Sequence, residues 1–191
     1  EITLDILMDN RYVDLVAERI DLAIRIGDLG DSSMVARKLG ASPLVIVGAP
    51  SYFDRLGMPK HPNDLKNHNC LLYSVKEGAN IWRLHKDGED FNIHVSGNCR
   101  CDNTDGVPDV ITGGAGIALV PVWLVRCELA HGELVHVLSD YLPWDSPIHA
   151  VYPQSKYVPL KVRCFIDFLV EKLAEDQLFT RDWGQEYKCD L

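Results

Sequence analysis

The chain has 191 residues, 47% hydrophobic and 25% charged, enough to bury a sizeable core as one large domain or two small lobes. With 28 acidic residues against 19 basic ones its formal charge is -9, which repels a phosphate backbone and argues against nucleic-acid binding by these residues alone. No run of about 18 apolar residues exists, and the first ten lack the basic start and apolar core of a signal peptide, so a cytoplasmic location without membrane contact is expected.

Taken in order, Ile2, Leu4 and Ile6 alternate with more polar neighbours and predict a half-buried strand. Val13, Val16, Ala17 and Ile20 fall at helical spacing and predict a short amphipathic helix. Asp21 then opens "DLAIRIGD", a strand that runs into Gly27 and a polar loop. Strand, helix, strand is the pattern of a parallel βαβ unit. After a further strand in "SSMVARKLG", the run Leu44 to Val47 is apolar on both faces between Pro43 and Gly48, as in the middle of a sheet. From Ser51 to about Asn69 the character changes, with Pro59, Pro62, His61 and His68, and a second lobe is expected to begin there. The two histidines flank a proline-rich turn and are expected to bond locally.

In "IWRLHKDGEDFNIHVSGNCRC" the central "KDGED" marks a hairpin turn. Cys99 and Cys101 then fall on the second hairpin strand, facing one side, as small core residues rather than metal ligands. The six cysteines are scattered, with no CxxC, and read as reduced, mostly packed thiols. "PIHAVYPQ" is a second apolar run bounded by prolines. In "KYVPLKVRCFIDFLVEKLAEDQ", Val158, Val162, Phe165, Leu169 and Leu173 trace one face of a long helix, with Pro159 confined to its first turn. Two apolar crossing strands imply two lobes joined by a double hinge, with the last helix returning to the first lobe.

The stretch "DNTDGVPDVITGGAGIALVPVWLV" admits three readings. A dinucleotide loop needs GxGxxG after a strand and before a helix; here Leu119 takes the third glycine position, and the order is helix, glycines, strand. A helix-to-strand joint fits: Gly113 or Gly114 ends the helix in a left-handed conformation, and "IALVP" is a buried strand stopped by Pro121. Pro108 must lie in the first turn, so the cap is Asn103, Thr104 or Asp105. The third reading is a cleft wall, since a helix start favours an anion, while a plain cap serves equally well. Arg25 ends its strand where ligands of open α/β sheets gather, or else is a surface arginine paired with Asp28. No GxSxG, HExxH, P-loop or EF-hand pattern is present, no nucleophile and base converge, and His131 and His136, five apart, do not form a metal site. No enzymatic activity, metal or cofactor is expected.

Four stretches together carry a resemblance: "VDLVAERIDLAIRIGDLGDSSMVARKLG" (13 to 40), "HPNDLKNHNCLLYS" (61 to 74), "GGAGIALVPVWLV" (113 to 125) and "PIHAVYPQSKYVPLKVRCFIDFLVEKL" (147 to 173). In order and spacing they resemble the effector-binding domain of LysR-type transcriptional regulators. The resemblance implies an α/β fold of two Rossmann-like lobes joined by two crossing strands, like type II periplasmic binding proteins. Lobe I would comprise 1–48 and 149–191, without the family's first strand and helix, and lobe II 49–148. A small effector, commonly a carboxylate or aromatic acid, would lie between the lobes. Arg25, Ile26 and Gly27 would line the site from the first lobe, Asn103, Thr104, Val120 and Pro121 from the second, and Gly48 and Tyr152 near the hinges. A homodimer or homotetramer is implied, touching DNA only through an N-terminal helix-turn-helix outside these residues. A solute-binding protein of a transport system, with the same fold, is the alternative.

Overall fold

The computed structural model describes residues 3–11, 13–30, 33–73, 80–155, 157–176 and 179. Along the chain lie β1 (Ala23–Ile26), β2 (Met34–Ser42), β3 (Leu44–Gly48), α1 (Pro50–Leu56), a 3-10 helix (Pro62–Asn67) and β4 (Leu72–Tyr73). Then come β5 (Ile81–Lys86), β6 (Glu89–His94), β7 (Arg100–Cys101), α2 (Val107–Thr112) and β8 (Ile117–Pro121). The series closes with α3 (Val122–Ala130), β9 (Val135–His136), β10 (Leu142–Pro143), β11 (Ser146–Pro153) and α4 (Leu160–Glu175). The chain divides into two compact units: one holds the described residues up to Ser42 and from Ser146, the other Pro43–Asp145.

In the first unit β11 is the central strand, antiparallel to both β1 and β2, with a register shift between Ile148 and His149. The expected long helix is α4, and Pro159 stands at its N-cap, where no amide is needed. Val162 and Ile166 of α4 pack on Leu39, Ile148 and Ala150. The parallel βαβ reading of this region is corrected, because β1 pairs antiparallel with β11 and no described strand lies over Leu4 and Ile6 to pair with it in parallel. The helix expected over Val13 to Ile20 is a single turn. The Asp14 carboxylate accepts from the amides of Val16 (3.0 Å) and Ala17 (3.1 Å), and Arg19 turns left-handed at φ 56°. Of its four periodic residues Val16 is 63% exposed, and the buried anchor is Leu15. Of the strand expected over Ile2, Leu4 and Ile6, Ile2 lies outside the described residues, and Leu4 and Ile6 are exposed and belong to no strand.

The second unit is built on β3, whose Val45, Ile46 and Val47 are fully buried, as a strand apolar on both faces requires. β3 pairs antiparallel with β8 and β9, while Cys70 bridges in parallel to Ile117 and β4 pairs in parallel with β7. The expected lobe I boundary at residue 48 includes Leu44–Gly48, but its ladder partners belong to the second unit, and the chain changes unit between Ser42 and Pro43. The return falls between Asp145 and Ser146. β5 and β6 form the expected hairpin around Asp87 (φ 52°) and Gly88 (φ 83°), the two left-handed residues of a type I′ turn. Trp82, Leu84 and Ile93 on one face enter the core. The hairpin ends at His94, so Cys99 and Cys101 are not on it. Both are free and half-buried against the same core, Cys101 on β7. Cys70 is free and buried, Cys164 free and exposed, and Cys127 is disulfide-bonded, against the reduced state expected throughout.

Candidate functional site

The glycine stretch is a helix-to-strand joint assembled around Asn69. The Gly114 amide donates to the Ile111 carbonyl (2.8 Å), with φ 75° reversing the chain after α2. The Asn69 side-chain amide donates to the Ala115 carbonyl (2.6 Å) and to Asn98 Oδ1 (2.9 Å), while its own Oδ1 accepts from the Asn98 amide (2.9 Å). Its carbonyl accepts from the Ile117 amide (2.9 Å), and a Cβ on Gly116 would lie 2.2 Å from that carbonyl oxygen. Only glycine permits this approach. Arg55 donates to the Gly114 carbonyl (2.9 Å), which ties α1 to the joint.

At the other end of α2 the cap is Gly106, with no side-chain bond, which corrects the cap expected among Asn103, Thr104 and Asp105. Asn103 Oδ1 instead accepts from the Asp105 amide (2.8 Å) in a local Asx turn, so the chain turns once before the helix begins. The Thr104 carbonyl accepts from the Val107 amide (3.1 Å), and Thr104 is half-buried beside the exposed Asn103. Val120 and Pro121 pair with Val45 and Leu44 at one end of the β3–β8 ladder, and Gly48 pairs with Ile117 at the other. At about 3.4 Å per residue these ends are roughly 10 Å or more apart. Gly48 is also held in the core, where an added Cβ would lie 2.6 Å from the Phe53 ring.

In the first unit Arg25 pairs across the ladder with His149, and Ile26 with Ile148. Arg25 donates to the Val13 carbonyl (3.2 Å), which anchors the preceding turn. Ile26 is 47% exposed, and Gly27, at φ 111°, donates its amide to the Pro147 carbonyl (2.8 Å). Ile148, Ala150 and Tyr152 pack with α4, so the alternation of side chains puts Arg25 and His149 on the opposite face. Tyr152 therefore does not join Arg25. His149, which the sequence reading passed over, has a buried Nδ1 without a hydrogen-bond partner. No local signal marks it, since the strand pairing that sets it beside Arg25 spans most of the chain.

The remaining candidates are structural. His61 caps the 3-10 helix by accepting from the Asn63 amide (3.2 Å), and Asp64 reciprocates toward the His61 amide (2.9 Å). Backbone amides of Lys60 and His61 hold the Asp64 carboxyl below its ordinary range. His68 Nδ1 lies 3.2 Å from the Tyr52 hydroxyl, which accepts from the Asn69 amide, and burial lowers the His68 pKa. Burial likewise lowers that of His136. Among the described residues no group of three or more His, Cys, Asp or Glu side chains is arranged to hold a metal ion. No described helix is long and apolar enough to cross a membrane. An open concavity of about 570 Å³ lies on the outer face of the hairpin, lined by Ile81, Arg83, Asp90, Asn92, His94 and Trp144. None of the expected ligand residues lines it.

Solved structures similar to this chain include regulatory domains of LysR-type transcriptional regulators. That of CrgA, a LysR-type transcriptional regulator from Neisseria meningitidis, matches at TM-score 0.71 and 29% identity over 85% of this chain and 79% of that one. The full-length Vibrio cholerae virulence activator AphB matches at TM-score 0.70 and 31% identity, over 88% of this chain and 57% of that one. The expected class, a two-lobe α/β fold like periplasmic binding proteins, therefore stands. The family model of the LysR substrate binding domain matches residues 1–174, and the chain belongs to that family. Among curated relatives, the HTH-type transcriptional activator AaeR of Escherichia coli K12 is 35% identical over 173 residues, 90% of this chain and 56% of that protein. The regulator PtxR of Pseudomonas aeruginosa is 32% identical over 92% of this chain and 56% of its own length. The chain thus spans about half the length of these relatives. All are transcriptional regulators, which displaces the transport alternative.

Proposed function

We propose that this domain senses a small carboxylate or aromatic acid in the cytoplasm and, within a homodimer or homotetramer, passes the bound state to an N-terminal helix-turn-helix. It uses no cofactor and performs no catalysis. In the first unit Arg25 and Gly27 are the proposed polar contacts and Ile26 an apolar one; in the second unit Asn103 and Thr104 are the proposed polar contacts and Val120 and Pro121 the apolar ones, while Gly48 and Tyr152 serve architecture. The single observation that supports an anionic ligand is the cross-strand pair Arg25–His149. It sets Arg25 opposite a residue whose buried ring nitrogen has no hydrogen-bond partner. A buried polar atom left unpaired costs about 1 to 3 kcal/mol, which a ligand group bound there recovers.

The test is calorimetric titration with benzoate and a panel of small mono- and dicarboxylates, repeated on Arg25→Ala and Thr104→Ala. Loss of one charge-assisted hydrogen bond, about 1.5 to 3 kcal/mol, weakens binding roughly tenfold or more. Thr104 makes no capping bond, so its variant keeps the wild-type melting temperature. Unchanged affinity in both variants refutes the site. Failure of every acid to bind refutes the ligand class.

A further inference from the structure

β5 and β6 turn Trp82, Leu84 and Ile93 into the core, so strand alternation places Arg83, Asp90 and Asn92 on the outer face of the hairpin. Arg83 stands opposite Asn92 in the ladder, and Asp90, two residues along β6, is its diagonal neighbour at about 7 to 8 Å. Both charged side chains are exposed, and among the described residues neither has an ion-pair or hydrogen-bond partner. Beside them Trp144, 55% exposed, follows β10 and donates its amide to the Arg83 carbonyl (3.3 Å). Its ring leans on that of His85, with centroids 5.2 Å apart, which holds the indole as one wall of the open concavity of about 570 Å³. That volume is within the roughly 300 to 1,000 Å³ of small-molecule sites.

We propose that this concavity binds a free α-amino acid with an aromatic side chain. Its wall carries one guanidinium and one carboxylate, each unpaired. A ligand with only an anionic group meets Arg83 but faces Asp90, and a simple amine meets the reverse. An α-amino acid carries both charges on one carbon, so it answers both side chains at once and leaves neither charge covered without a counterion. Arg83 donates to the ligand carboxylate, with the Asn92 amide group beside it as a second donor, and Asp90 accepts from the ligand ammonium. The ligand ring lies against Trp144 and Ile81. All these residues belong to the second unit and none is among those proposed to hold the acid, so the inference does not rest on that reading.

Titration of the isotope-labelled chain with L-phenylalanine, followed by amide and indole NMR shifts, tests it. Shifts confined to Ile81–His94 and Trp144 are expected, with a dissociation constant on the order of 0.3 mM, ordinary for so small a ligand in an open site. The analogues 3-phenylpropanoate, which lacks the ammonium, and 2-phenylethylamine, which lacks the carboxylate, bind at least about tenfold more weakly. Arg83→Gln and Asp90→Asn each weaken L-phenylalanine by about tenfold or more, and Asp90→Asn no longer distinguishes it from 3-phenylpropanoate. Both substituted side chains are exposed, so the circular dichroism melt stays that of the wild type. Arg25→Ala binds L-phenylalanine as the wild type does. No shift at about 10 mM, roughly thirty times the expected constant, overturns the inference. So does equal binding of 3-phenylpropanoate by the wild type, an affinity unchanged in both Arg83→Gln and Asp90→Asn, or a loss in Arg25→Ala, which would place the amino acid in the first unit.

Discussion

Gly116→Ala tests the joint directly. The new Cβ would stand 2.2 Å from the Asn69 carbonyl oxygen, 3.1 Å from its carbon and 3.3 Å from Nδ2. The opposing atoms are mostly backbone, so the strand must move rather than a side chain rotate. Moving it stretches the Ile117-to-Asn69 bond (2.9 Å) and the Asn69-to-Ala115 bond (2.6 Å). Overpacking costs about 1 to 3 kcal/mol and each net hydrogen bond about 1, while the stiffer unfolded chain returns about 0.4 to 1. The net is a loss of about 2 to 4.6 kcal/mol, or roughly 4 to 18 °C in Tm for a chain of this size. Urea unfolding followed by tryptophan fluorescence, to which buried Trp82 contributes, measures it. Gly114→Ala, strained by φ 75°, loses about 1 to 2 kcal/mol, while Gly113→Ala, at φ -64°, changes little. A Gly116→Ala protein as stable as Gly113→Ala refutes the close-approach argument.

Burial pushes the Cys70 thiol up to about 12 from an ordinary 9, so the folded state holds it neutral. The stability this contributes is complete below pH 9 and declines between 9 and 12 by up to about 1.4 kcal/mol per pH unit. Cys70→Ala removes that part of the slope, and identical alkaline slopes for the two proteins contradict the assignment. At pH 8 iodoacetamide labels exposed Cys164 quickly and Cys70 only on unfolding, as peptide mapping reports. Asp64, its carboxyl held low by two backbone amides, contributes stability above about pH 4 that fades as the pH falls through its folded value. Asp64→Ala costs about 1 kcal/mol at pH 7 and less at pH 3, and an equal loss at both in urea titrations excludes the capping role.

The sequence by itself determined features set within a few residues. "KDGED" specified the hairpin, because only left-handed residues close a two-residue turn in the strands' twist, as Asp87 and Gly88 do. The glycine joint after α2, the first-turn position of Pro159 and the two-sided burial of Leu44–Gly48 were legible for the same reason. Residues 3–20 were misread because alternation and helical spacing are shared by strands and helices that find partners and by segments that do not. Tertiary structure alone decided which sheet β3 joins, which face Tyr152 takes, and that Gly48 and Pro121 end opposite ends of one ladder. It also set Asn69 against Gly116 and His149 beside Arg25. Those meetings depend on strand register across many intervening residues, and a register is chosen by the whole core rather than by either strand's own pattern.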